Sequence, residues 1–215
     1  MTIEEFKTEI EKLGLTVTDE MLEKLEIIYN ELITVNKTMN LTRIVNKKDI
    51  YLKHFYDSLT IAKIYDLSKV STLCDIGSGA GFPGLILKIF YPNLQITLID
   101  ALLKRVNYLN NLIKKLDLSN IKAYHIRAED LQRENKRFDV VTARAVAHLP
   151  KLLTWAMPLV NKEGCFIAMK GDVTNELVEA RKIMSQNNYK IIKQKIFSLP
   201  YNQGKRTLLI IKKEQ

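Results

Sequence analysis

Thr72-Leu73-Cys74-Asp75-Ile76-Gly77-Ser78-Gly79-Ala80-Gly81-Phe82-Pro83-Gly84 is the stretch from which the rest of the chain is read. It opens as an apolar strand, turns through glycines, and enters Leu85-Ile86-Leu87-Lys88-Ile89-Phe90-Tyr91, which Pro92 stops. Strand, glycine turn and helix form a crevice for a phosphate or a nucleoside, because a turn without Cβ atoms lets a ligand approach the backbone. A helix opening near Pro83, a residue suited to the first helical position, would offer its unpaired amides to that ligand.

The same residues fit two patterns. Gly79-x-Gly81-x-x-Gly84 is the dinucleotide fingerprint. Counted from Asp75 they become acid-x-Gly-x-Gly-x-Gly, the form found in S-adenosylmethionine (SAM) enzymes. Asp75 favours the second, since a carboxylate there would repel a pyrophosphate but suits an ammonium-bearing ligand. Asp100 closes the next apolar strand, Leu94 to Ile99, where a ribose diol is held in either cofactor class.

From residue 70 onward strands alternate with helices, the pattern of a parallel sheet with crossover helices. Leu102 to Leu116 is a basic amphipathic helix, and Ile121 to Ile126 is the third strand, leading into Arg127-Ala128-Glu129. Phe138 to Ala143 is the fourth, ending at Arg144-Ala145. A helix from Pro150 to Trp155 and a fifth strand, Gly164 to Met169, follow. Asp75, Asp100, Ala128-Glu129 and Arg144 therefore converge on the carboxyl edge of the sheet, where open α/β folds bind ligands. After a helix near Asn175 to Gln186, Tyr189 to Phe197 and Thr207 to Ile211 flank a link so short that the two strands must be antiparallel. A closing hairpin is typical of the Rossmann-like SAM-dependent methyltransferase fold rather than of dehydrogenases.

Residues 1 to 67 read as an N-terminal helical cap, and 68 to 215 as the methyltransferase domain. Ile3, Phe6, Ile10 and Leu13 form one stripe that Gly14 ends; Thr18 caps a second helix carrying Leu22, Leu25, Tyr29 and Leu32. Asn36 to Thr42 is expected to leave the helix. A third helical segment, Lys48 to Tyr65, sets His54, Asp57 and Ser58 among apolar residues; the plain reading of that trio is a His54–Asp57 hydrogen bond at the joint between cap and core.

At 215 residues and 47% hydrophobic, the chain can bury a full core. Cys74 and Cys165 lie within strands and are expected as thiols in a reducing cytoplasm. No Cys/His spacing suggests a metal, and no signal peptide or membrane span is expected. The excess of 33 Lys+Arg over 24 Asp+Glu, a net +9, favours a polyanionic partner, although a generally basic surface accounts for it equally well.

These motifs resemble the RsmG (glucose-inhibited division B) family of bacterial small-subunit ribosomal RNA methyltransferases, over nearly the full length. Asn40-Leu41-Thr42 and His54-Phe55-Tyr56-Asp57-Ser58-Leu59 are similar to that family's cap, although Tyr56 stands where an aliphatic residue is expected. Asp75 to Gly84 resembles its cofactor loop, with Phe82-Pro83-Gly84 more specific than the glycines. Arg127-Ala128-Glu129, Ala143-Arg144-Ala145 and Lys170-Gly171 are similar to later motifs.

The resemblance implies methylation of N7 of one guanine in the 530 loop of 16S rRNA. It places Gly77, Phe82, Ala128, Glu129 and Arg144 at a SAM pocket. With Asp75, Gly79, Gly81 and Asp100 added from the motifs, these are the expected cofactor-binding residues. Arg144 is also the expected catalytic residue, with a structural ion pair as its plainer role. A core position is likewise the plainer role of Phe82. Lys37, Arg43, Lys47, Lys48 and Lys53 are candidates for RNA phosphates. The partner expected is 16S rRNA or the small subunit, with no membrane or protein partner and a monomeric state. An NAD-linked oxidoreductase, an RNA-binding module without catalysis and methylation of a small anionic metabolite are the alternatives.

Overall fold

The computed structural model describes residues 1–214. The cap begins with α1 (Ile3–Glu11), closed by a reciprocal capping box in which Glu5 N–H donates to Thr2 Oγ1 and Thr2 N–H to Glu5 Oε2. Thr18 caps α2 (Asp19–Met39) through Met21 N–H, as expected. The helix then continues through Asn36, past its expected end, to a left-handed Asn40. Its polar last turn has a use: Asn36 Nδ2 and Oδ1 clamp the carbonyl and amide of Thr42 at 2.9 and 2.8 Å.

The third cap segment is not one regular helix. It runs as α3 (Lys47–Ile50), a wide π turn over Tyr51–Tyr56, α4 (Asp57–Leu59) and a 3₁₀ turn over Thr60–Lys63. Tyr51, Phe55 and Tyr56 of the wide turn are almost wholly buried, Tyr51 edge-on to Phe6 and Phe55. The wide pitch places all three rings in the core.

The sheet then assembles from β1 (Thr72–Ile76), α5 (Gly84–Phe90), β2 (Gln95–Asp100), α6 (Leu103–Lys115), β3 (Ile121–His125), α7 (Ala128–Arg133), β4 (Phe138–Arg144), α8 (Leu149–Ala156), β5 (Val160–Lys170), α9 (Thr174–Asn187), β6 (Tyr189–Ser198) and β7 (Lys205–Lys213). Strand order is β3-β2-β1-β4-β5-β7-β6, with β7 antiparallel to both neighbours and every other pairing parallel. The closing hairpin is therefore as expected, and strand order reverses between β1 and β4.

Alternate strand residues feed two apolar clusters, one on each face. On one face Phe6, Ile10, Leu25, Ile28, Leu32 and Phe55 of the cap share a cluster with Leu85 of α5 and Leu109 of α6. The other cluster packs α8 and α9 on Val141, Phe166 and Leu209.

Candidate active site

The turn after β1 is shaped by what surrounds it. Gly77 has φ +66°, and a Cβ there would lie 2.8 Å from Val146 Cγ2. At Gly84 an added Cβ would meet Leu98 and the Asp75 carboxylate. Helix α5 starts at Gly84, one residue beyond Pro83. Its first amides are turned inward: Gly84 N–H donates to Asp75 Oδ2 at 3.0 Å and Leu85 N–H to the Gly81 carbonyl at 2.8 Å. The helix end is thus satisfied by the protein itself, contrary to the expectation that it faces a ligand.

Asp75 is fully buried, and its Oδ1 has no hydrogen-bond partner among the described residues. Burial raises its pKa to about 7, opposed by the Gly84 amide. It stands behind the turn and braces it. Asp100 occupies the rim: Oδ2 accepts from Gly79 N–H at 3.0 Å and Oδ1 from Leu102 N–H at 2.9 Å, with Arg105 3.5 Å away. Gly81 lies beneath, near Leu85 and Leu109.

Two cavities open at this edge. The first, about 120 Å³, brings together Gly77, Asp100, Ala128 and Glu129 with Ile99 and Trp155. Four expected cofactor residues thus meet around apolar walls. The second, about 350 Å³, lies between cap and strand ends, with Lys53, His54, Asp57, Arg144, Lys170 and Arg206 in its lining. Adjacent residues, Ala145 (φ +56°) and Val146, line one cavity each, so the two sites are neighbours across the turn that follows β4.

The second cavity is an electrostatic cluster. Asp57, 3% exposed, accepts from Arg144 NH1 at 3.1 Å and from Arg206 Nε at 2.9 Å. One carboxylate between two guanidiniums leaves a net positive charge. Arg144 NH1 also donates to the Lys53 carbonyl at 3.0 Å. The Lys170 ammonium pairs with Glu176 and donates to the Ala147 carbonyl, both at 2.8 Å, while Glu176 Oε2 accepts from Leu149 N–H. This ties down the turn after β4.

His54 does not bond Asp57. Its Nε2 lies 2.9 Å from Thr42 Oγ1 and its Nδ1 3.3 Å from Arg144 NH2. Burial, reinforced by the Arg144 charge, lowers its pKa to about 3. Phe82 is buried within the wall between cap and turn, stacked on the His54 ring at 4.8 Å with the Arg144 guanidinium 5.5 Å from its centroid. Of the candidate phosphate contacts, Lys53 lines the second cavity and pairs with Asp49, and Lys47 pairs with Glu26. Among the described residues Lys37, Arg43 and Lys48 form no ion pair.

Arg206, Trp155 and Val146 were not foreseen. Arg206 had a signal: β7 is antiparallel, so its first residues share an edge with the last residues of the parallel strands. Trp155 and Val146 had none.

A family model described as rRNA small subunit methyltransferase G matches residues 21–207. The Ribosomal RNA small subunit methyltransferase G of Bacillus thuringiensis (strain Al Hakam) is 42% identical, with 100% of this chain and 92% of that protein covered. The chain belongs to this family. Its resemblance to RsmG, its Rossmann-like fold and its assignment as a methyltransferase are thereby borne out. Among solved structures, the ribosomal protein L11 methylase from Lactobacillus delbrueckii subsp. bulgaricus shares the fold at TM-score 0.58 and 17% identity, over 76% of this chain and 80% of that one. M. jannaschii TYW2, solved in complex with AdoMet, does so at 0.52 and 16%, over 67% and 70%.

For a member of this family the methyl donor is SAM, as the glycine turn indicated. The first cavity, at about 120 Å³, suits the purine end of it. Ile99, Ile126 and Trp155 offer apolar walls to a purine, Asp100 and Glu129 offer carboxylates, and Gly77 keeps the turn clear of a side chain.

Proposed function

We propose that the protein transfers the methyl group of SAM to N7 of a guanine in the 530 loop of 16S rRNA, acting as a cytoplasmic monomer with residues 1–67 as a cap over domain 68–215. The observation that carries this reading is the adjacency of an apolar, carboxylate-edged cavity and a larger positive one across Ala145-Val146, in a chain of this family.

SAM supplies an electrophilic methyl group on a sulfonium. Asp100 receives the ribose hydroxyls at the rim, Ala128 and Glu129 border the adenine, and Gly77 with Gly79 shapes the floor that Asp75 braces from behind. Phe82 supports Arg144 from beneath rather than lining the cofactor cavity. N7 already carries an in-plane lone pair, so no base has to deprotonate it. The carboxylates of the second cavity match that undemanding chemistry, since Asp57 is held by two guanidiniums and Glu176 by the Lys170 ammonium and the Leu149 amide.

Arg144 therefore works by position. An N–H on N7 would occupy the attacking lone pair, which assigns Arg144 to O6 or to a phosphate. Holding base and donor in line contributes about 7–11 kcal/mol of the barrier. Lys53, Lys170 and Arg206 would meet phosphates flanking a base turned out of its loop.

Labelled methyl transfer to undermethylated small subunits, followed by primer-extension mapping, tests the reading. A single stop at one guanine is expected; RNA binding without label transfer would leave a non-catalytic binding module. Affinity for RNA should fall with salt at a slope of about −0.7 per phosphate contacted. Light scattering tests the monomer.

A further inference from the structure

Arg144 has five N–H donors, and its partners account for three. NH1 gives both hydrogens, to the Lys53 carbonyl and to Asp57 Oδ2. NH2 faces His54 Nδ1 at 3.3 Å. A guanidinium has no acceptor, and the Lys53 carbonyl near the ring already accepts from Arg144 NH1, so the arrangement favours a lone pair on Nδ1 and the imidazole proton on Nε2. Nε2–H then donates to Thr42 Oγ1 at 2.9 Å. An imidazolium would set two donors against each other at Arg144.

Each partner of the ring is fixed in turn. Thr42 Oγ1 also accepts from Ile44 N–H at 3.0 Å, and Asn36 clamps the Thr42 backbone from the end of α2. On its flat side the ring lies nearly parallel to Phe82 of the glycine turn, at 16°. His54 thus joins the cap, the cofactor turn and the end of β4 through one side chain.

We propose that His54 is a positioning residue for methyl transfer: as the neutral Nε2–H tautomer it anchors the Arg144 guanidinium, leaving Nε–H and one NH2 hydrogen for the target nucleotide. This rests on the reading that Arg144 meets that nucleotide in the second cavity. The buried, lowered-pKa state of His54 agrees with the neutral form. The arrangement also gives the loop that follows α2 a path to the reaction, through Thr42, without any contact with substrate.

Two amide substitutions separate the ring's nitrogens. His54→Asn places an acceptor where Nδ1 stands but cannot reach Thr42. His54→Gln reaches Thr42 but withdraws the acceptor from Arg144. Both are assayed as full-length protein on undermethylated small subunits, with SAM affinity measured by calorimetry.

His54→Gln is expected to lower kcat about tenfold, the value of one hydrogen bond to a charged group, while SAM affinity changes less than about twofold. His54→Asn is expected to lose only about threefold. Wild-type kcat in His54→Gln, or equal impairment in the two variants, overturns the proposal by reducing His54 to a packing element. Should His54→Gln not fold, a tenfold loss in a folded His54→Asn overturns it and a smaller loss supports it. Failure of the underlying reading is recognised separately, because the wild-type protein would then transfer no methyl group to a guanine of the small subunit.

Discussion

The two cavities at the carboxyl edge are built differently. The smaller one is local: Gly77, Asp100, Ala128 and Glu129 stand at or just beyond the ends of three neighbouring strands, and the strand–turn–helix pattern positions each by short-range rules. The larger is non-local. Asp57 in the cap meets Arg144 87 residues on and Arg206 149 residues on. On the function proposed above, the pocket for a common small molecule is thus drawn from turns and strand ends, whereas the pocket facing a specific partner is drawn from side chains of the cap, β4 and β7. The difference predicts that losing a side chain costs most stability at the larger cavity, while at the smaller one the effect on cofactor binding comes to the fore.

Asp57→Ala should break the non-local site most severely. It strands two guanidiniums, one of them mostly buried, and stability should fall by about 3 kcal/mol in urea denaturation. SAM affinity should be largely retained. If stability is unchanged, the two cavities do not differ as described.

Asp75→Asn tests the brace behind the local site. The folded-state pKa of Asp75 is raised from 3.8 to about 7. The folded chain therefore holds a proton that the unfolded chain has lost, and the resulting stabilisation is present below pH 4 and lost as pH rises to 7. Relative to the Asn variant, wild-type stability should decline over that window by on the order of 1 kcal/mol per pH unit, then level off. A flat difference would show Asp75 ionised throughout.

Gly77→Ala comes next, since its Cβ would strike Val146 and the left-handed φ costs an L-residue about 1–2 kcal/mol. That strain lowers stability by the same amount, and displacement of Val146, which lines the smaller cavity, should weaken SAM binding, with transfer restored at high SAM. Asp100→Ala should give the mildest effect, a SAM affinity loss of about tenfold with modest destabilisation from the freed Gly79 and Leu102 amides. Unchanged affinity would remove Asp100 from the ribose.

The same contrast explains what could be read in the sequence. The succession of strands and helices, the closing hairpin and the local residues follow from periodicity, glycine spacing and strand ends, all short-range signals. The pairing of His54 was misread because Asp57, three residues on, looks like its natural partner in a regular helix. Two distant arginines claim Asp57 instead, and His54 turns to Thr42 and Arg144. The extension of α2 was missed because Asn36 looks like a breaker until its grip on Thr42 is seen. Trp155 and Val146 reach the cofactor cavity from α8 and from the turn before it, and nothing in their neighbours' chemistry announces that.

The wide turn at Tyr51–Tyr56 sets the phase of all that follows it. One residue of ordinary helix corresponds to about 100° of rotation, whereas the wide turn takes up an extra residue within nearly the same rotation. An insertion between this turn and Asp57 would therefore carry Asp57 off its two guanidiniums, while a deletion inside the turn would be absorbed by a return to ordinary pitch. Length variation among relatives should fall in the connector before α3 or inside this turn, and spare the junction between the turn and Asp57. A gap between Tyr56 and Asp57 would instead mark a protein in which the two guanidiniums find another partner.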